Sequence, residues 1–124
     1  MAFEMANILI SDDSASMREM VEFTLVAENH QVMQADDGKQ ALILAKEYQF
    51  DLIITDVNMP NIDGLELVRA LRNLPNYQFK PILVLTTETD SEKKQIAKTA
   101  GATGWIVKPF NPDKLLAAIR KVLE

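Results

Sequence analysis

DLIITDVNMPNIDG, residues 51–64, joins a buried-looking strand to an acid. Leu52–Thr55 is a short apolar run without polar alternation, which suits a strand covered on both faces of a parallel sheet. The run stops at Asp56, and the turn formers Pro60, Asp63 and Gly64 follow. A carboxylate at the end of such a strand is costly unless something holds its charge. ILISDDS, residues 8–14, repeats the pattern and ends its apolar run on Asp12 and Asp13.

Working outward, five apolar runs recur: Asn7–Ile10, Gln31–Ala35, Leu52–Thr55, Ile82–Thr86 and Trp105–Val107. Segments with helical spacing lie between them. Met17, Met20, Val21, Thr24 and Leu25 share one face, and Ala41, Leu42 and Ala45 another. Leu67, Val68, Leu71 and Leu74 form a third, and Leu115, Ile119, Val122 and Leu123 a last. Ser91–Ala100 is the weakest helical segment and reads as the least firmly packed. Ser14 or Asp13 suits the first N-cap, Asp37 the second, and Asp90 or Ser91 the fourth. Asn111-Pro112 supplies a cap with proline at the first helical position. Gly101 and Asn29 suit helix ends. Pro75–Lys80 reads as a loose loop.

Five strands alternating with five helices predict an α/β fold: a doubly wound parallel sheet with right-handed crossovers. Sites in such sheets form beyond the carboxyl ends of the strands. The functional shortlist is therefore Asp12, Asp13, Asp56, Thr86, Thr87 and Lys108.

Composition narrows the classes. A chain of 124 residues suits one domain spanning 1–124, with residues 1–6 a short N-terminal extension. Without cysteine there is neither a disulfide nor a thiolate metal site. The first residues carry Glu4 and no basic flank, unlike a secretory signal. No apolar run approaches the ~18 residues of a membrane span. The expectation is a cytoplasmic protein that does not act at a membrane. A net charge of −5 disfavours nucleic acid as a partner.

The shortlist has a chemistry of its own. Two carboxylates about 5 Å apart repel by roughly 3 kcal/mol at an effective dielectric near 20. Three such acids require either that one take up a proton or that a cation sit between them. All-oxygen ligands favour a hard ion, and Mg²⁺ fits best. A cation held this way can bring in a phosphate, which Lys108 can pair with and Thr86 can donate to. A carboxylate could then attack phosphorus to give an acyl phosphate. Asp56 is the candidate nucleophile, because its strand lies between the acid pair and the Thr86/Lys108 side.

Four motifs in this order resemble one family: SDDS (11–14), DVNMPNIDG (56–64), LTTE (85–88) and GATGWIVKPF (101–110). From Asn7 onward the chain resembles receiver domains of bacterial two-component response regulators, in particular single-domain chemotaxis regulators of the CheY type. The resemblance implies the flavodoxin/CheY-like strand order 2-1-3-4-5. It implies Asp56 as phosphoacceptor, with Mg²⁺ held by Asp12, Asp13, Asp56 and the main-chain carbonyl of Asn58. Thr86 and Lys108 would contact the phosphoryl group, and Lys108-Pro109 would be a cis peptide. Asn58 and Glu88 would flank the hydrolytic water, with a short phosphoryl lifetime as the consequence. Thr86 and Trp105 would form the switch, Trp105 standing where chemotaxis regulators usually carry tyrosine. The partner surface would be Lys93, Lys94, Lys98, Trp105, Lys114 and Lys121. The donor would be a histidine kinase of the CheA type, and a phosphatase could assist resetting. The expected molecule is a monomer, not an enzyme, which catalyses its own phosphorylation and dephosphorylation. With no output domain after the fifth helix, it would act by binding a protein such as the flagellar motor switch. The same family also holds phosphate sinks and adaptors with non-motor targets. Lys94 and Ala118 depart from the chemotaxis pattern, which leaves the motor as target open.

Other readings compete. A flavodoxin-like FMN redox protein needs a hydroxyl- and glycine-rich phosphate loop after strand one, where SDDSAS places two acids. A phosphatase with an aspartate nucleophile wants a second acid two residues on, where Asn58 stands. Plainer roles also exist. Asp13 suits a helix cap, Asp63 a turn, Asp36-Asp37 a solvated cap, His30 a surface turn and the methionines core filler.

Overall fold

The computed structural model describes residues 5–87 and 91–123, with nothing described for the side chains of residues 91–93. The expected Asp90 or Ser91 cap therefore lies outside what is described. Five strands form one parallel sheet: β1 (Asn7–Ser11), β2 (Gln31–Ala35), β3 (Leu52–Asp56), β4 (Ile82–Thr86) and β5 (Gly104–Val107). Their order is β2-β1-β3-β4-β5. The helices are α1 (Ala15–Val26), α2 (Gly38–Glu47), α3 (Gly64–Arg72), α4 (Ser91–Ala100) and α5 (Pro112–Leu123). The fold is the doubly wound α/β sheet that the alternation predicted.

Period-two alternation divides the core. Leu9, Ile53, Ile82 and Val84 pack toward α2 and α3 with Ala41, Ala45, Leu67, Val68 and Leu71. Their neighbours Ile8, Ile10, Leu52, Ile54, Leu83 and Leu85 pack toward α1 and α5 with Val21, Leu25, Leu115 and Ile119. Only β3 and β4 are buried along their whole length, and β1 follows them after Asn7. The edge strands β2 and β5 are partly exposed, so their apolar runs overstated their burial.

Helix ends follow local chemistry. Ser14 Oγ accepts the Met17 N–H at 3.3 Å and Asp37 Oδ1 the Gln40 N–H at 2.8 Å. Asn111 Oδ1 accepts the Lys114 N–H at 2.8 Å. Asp63 is more than a turn residue: it and Glu66 form a reciprocal capping box at the start of α3. Gly101 closes α4 at φ 113°, and Asn29 closes α1 at φ 69°. Among the described residues no helix is long and apolar enough to cross a membrane.

Three sequence expectations need correction. His30 is buried, only 4% exposed, and its Nδ1 accepts the Ala6 N–H at 3.0 Å. Burial lowers its pKa, against an opposing pull from Glu28. Among the described methionines, Met17, Met20, Met33 and Met59 are partly buried and pack against the core, whereas Met5 is 58% exposed and fills none of it. The stretch Pro75–Lys80 is not loose. It contains a 3-10 turn at Pro75–Tyr77, and the Tyr77 hydroxyl lies 2.7 Å from the Ala45 carbonyl and 2.8 Å from that of Tyr48.

Arg72 completes this tie. Its guanidinium donates to the carbonyls of Gly101 (2.9 Å), Tyr77 (2.6 Å) and Lys80 (2.7 Å), and reaches Thr103 Oγ1 at 3.3 Å. It thereby clamps the loop before β4 to the loop before β5. Arg72→Ala should lower stability by about 2–3 kcal/mol in urea denaturation, because it strands several partly buried carbonyls. Arg72→Lys should keep less than half of the lost stability, since one ammonium cannot reproduce the fork.

Candidate functional site

Strand register builds the site. Ser11 pairs with Thr55, so the next residues, Asp12 and Asp56, come opposite each other where β1 and β3 end. Asp56 pairs with Leu85, and Thr86 with Val107, which sets Lys108 one residue beyond the end of β5. Alternation adds a second constraint. Asp12, Asp56 and Lys108 continue the parity of Ile10, Ile54 and Ile106, which face α1 and α5. Thr86 continues the parity of Ile82 and Val84, which face α2 and α3.

The charged groups meet accordingly. Carboxylate oxygens of Asp12, Asp13 and Asp56 lie within 4.8 Å of one another. Lys108 Nζ stands 3.1 Å from Asp56 Oδ1 and 3.3 Å from Asp12 Oδ2. Asp12 is fully buried, Asp56 is 8% exposed, and Asp13 is exposed. Asp56 is thus the last residue of a buried strand and not an open rim residue. Its Oδ1 also accepts the Val57 N–H at 2.9 Å. Asp12 is fixed from both sides: Oδ1 accepts the Ser14 N–H at 2.9 Å, and its carbonyl accepts from Arg18 at 2.6 Å.

Burial pushes the Asp56 carboxyl above the usual aspartate range, the charge of Asp12 adds to this, and Lys108 and the Val57 N–H only partly oppose it. For Lys108, burial works against the charge, but Asp56 and Asp12 together outweigh it and hold the ammonium above its ordinary value. One cation thus shares two buried carboxylates, with a third nearby. The donor set is all oxygen, which fits a hard divalent ion such as Mg²⁺.

Two further features shape the surroundings. A Cβ on Gly64 would collide with the Asp56 carbonyl, so α3 can start against the end of β3 only at a glycine. Lys108-Pro109 is cis, and the Lys108 N–H donates to the Thr86 carbonyl at 2.8 Å.

The remaining shortlisted residues lie beside this cluster. Thr86 is buried at the end of β4, and Thr87 is exposed. Asn58 is exposed and lines a cavity of about 240 Å³ together with Thr86, Lys94 and Trp105. Lys98 lines a separate shallow groove with Trp105, and Lys114 and Lys121 are exposed on α5. Glu88 and the Lys93 side chain lie outside the described residues. Sequence reading missed Gly64 as a constraint on the site. The signal was present in the Asp63-Gly64 pair downstream of Asp56, but only the packing shows which backbone the glycine admits.

A family model for the response regulator receiver domain matches residues 8–120. The chain belongs to that family. Receiver domains are phosphoacceptor switches that take phosphate from histidine kinases, bind Mg²⁺ at an acidic pocket and act on downstream targets. The structure resembles that of the chemotaxis response regulator CheY4 of Vibrio cholerae, at 52% identity and TM-score 0.94 over 97% of this chain and 100% of that one. It also resembles the receiver domain of the sensor histidine kinase PA1611 of Pseudomonas aeruginosa, at 25% identity and TM-score 0.89 over 97% and 98% of the two chains. That structure holds a magnesium ion in its active site cleft. Among curated proteins, the response regulator ArlR of Staphylococcus aureus is 38% identical over 119 residues, which is 96% of this chain and 53% of ArlR. The chain therefore spans about half the length of the curated relatives it matches.

The raised Asp56 pKa fixes a sign for stability. The protonated form is compatible with the fold below the unfolded value, and stability is lost as pH rises through the folded value. The pull of Lys108 is already part of that net shift. Asp56→Asn should therefore raise metal-free stability at pH 7 by about 1 kcal/mol in urea denaturation. The gain should shrink as the pH falls through the raised range in which folded Asp56 takes up its proton, and vanish below the ordinary aspartate value of about 4.

Proposed function

We propose that this receiver domain is a chemotaxis-type phosphorylation switch in which Asp56 accepts a phosphoryl group from a histidine kinase of the CheA type. The observation that carries the reading is the buried cluster itself: three carboxylates within 4.8 Å and one ammonium at 3.1 and 3.3 Å from two of them. An Asp56 oxygen attacks phosphorus, the P–N bond of the phosphohistidine breaks, and an acyl phosphate forms. The departing imidazole takes up a proton. Lys108 can turn from the two carboxylates to the phosphoryl oxygens, and the Thr86 hydroxyl donates to one of them. Asp12, Asp13, Asp56 and the main-chain carbonyl of Asn58 would hold Mg²⁺, which supplies positive charge against the phosphoryl oxygens. On this reading the residue types at sequence positions 58 and 88, Asn and Glu, tune hydrolysis and make the phosphoryl group short-lived.

Phosphorylation is read out on the surface of α4, β5 and α5. Thr86 and Trp105 link the site to that surface, where Lys94, Lys98, Lys114 and Lys121 lie; the Lys93 side chain lies outside the described residues. The likeness to the Vibrio cholerae chemotaxis regulator supports a chemotaxis role, for which we take a motor-switch target in a cytoplasmic setting as the first reading. A non-motor target or a phosphate sink is the second reading. It is favoured by the Lys94 ammonium lying 5.3 Å from the Trp105 ring centroid in the middle of that surface.

Acetyl phosphate with Mg²⁺ should add one phosphoryl group per chain, seen by intact-mass spectrometry, and Asp56→Asn should abolish it. Full phosphorylation of the Asn variant would overturn the assignment. Beryllofluoride should strengthen binding to a flagellar motor switch protein severalfold, and unchanged binding would favour the non-motor reading.

A further inference from the structure

Trp105 sits in an unusual place for so large an apolar group. The residue is 37% exposed, yet it borders a cavity of about 240 Å³ walled by Val84, Leu65 and Ala97 with Thr86 and Asn58. A cavity of ~150 Å³ suffices to bind a benzene ring, so there is room for much of an indole. Moving the ring inward would bury apolar surface and close the void, both favourable. Something must favour the outward position. The Lys94 ammonium lies 5.3 Å from the ring centroid, within cation–π range, and Lys94 lines the same cavity. A charged ammonium cannot follow the ring into an apolar space without losing its water. The contact is made with the ring in its present outward position, and an inward ring that kept it would draw the ammonium further from water.

We propose that Lys94 is a positioning residue that holds Trp105 outward through this contact and so sets how readily the switch turns. The proposal rests on the reading of Thr86 and Trp105 as the switch. Thr86 walls the same cavity as Trp105, so movement at either residue changes the space open to the other. Lys94 biases that shared space toward the outward state. Phosphorylation must then overcome the Lys94 contact in addition to any cost of moving Thr86.

Trp105 is the single tryptophan of the chain, so its fluorescence reports this ring alone. The wild type, Lys94→Gln and Lys94→Arg are compared with and without beryllofluoride and Mg²⁺. Emission maximum and acrylamide accessibility are the readouts, because an ammonium can alter intensity without moving the ring. Without activation, Lys94→Gln should show blue-shifted, less quenchable emission, with the inward-to-outward ratio raised roughly two- to fivefold. Lys94→Arg keeps a cation and should behave as wild type. Wild-type emission from Lys94→Gln, while beryllofluoride still shifts the wild-type protein, overturns the role of Lys94 and leaves the switch intact. No response to beryllofluoride in any of the three proteins overturns the switch reading and this proposal with it.

Discussion

The pairing of β1 with β3 places two buried carboxylates opposite each other, and the rest of the site answers that constraint. Asp12 follows Ser11 and Asp56 follows Thr55, and those strand residues are locked in register by the sheet. Neither acid can withdraw without breaking the pairing that buries Ile10 and Ile54. Their charge must be met where it stands, and Lys108, delivered by β5 from across β4, meets it at 3.1 and 3.3 Å. A single ammonium against three acids leaves negative charge uncompensated. That deficit is the physical reason such a site would take up a divalent cation.

Parity in the sheet separates two tasks. The charged groups continue the face turned to α1 and α5, where Leu115 and Ile119 pack firmly. Thr86, Val84 and Trp105 belong to the other face, beside α4 and the cavity. Among the described residues of α4, only Ala97 and Ala100 are buried, so this helix holds its face with small side chains. On the proposed reading, chemistry occurs where packing is tight and the response develops where it is open. The backbone hydrogen bond of 2.8 Å between Lys108 and Thr86 ties the two sides together.

Much of this was legible in the sequence. Five apolar runs and their intervening helices gave the alternation, and residue type at the strand ends named the acids and Lys108. The least legible features depend on contacts distant in the chain. Nothing in the sequence around Arg72 marks it, yet it binds carbonyls as far along the chain as Gly101. His30 read as a turn residue because Asn29 precedes it, but the Ala6 N–H reaches its ring from 24 residues away. Asp56 was legible as a costly acid at a strand end, but not how deeply it lies. Its burial follows from a partner 52 residues later, which no local pattern encodes. The edge strands were misjudged for a related reason: apolar content does not reveal how many neighbours a strand will have.

The central claim is that Asp56 is a buried carboxylate under repulsion, which a divalent cation relieves. A carboxyl-¹³C NMR titration of Asp56 against pH, with and without Mg²⁺, measures this directly. The account predicts a midpoint above that of an ordinary aspartate in the metal-free protein, and a clear fall when Mg²⁺ is added. An ordinary midpoint that Mg²⁺ leaves unchanged would contradict it.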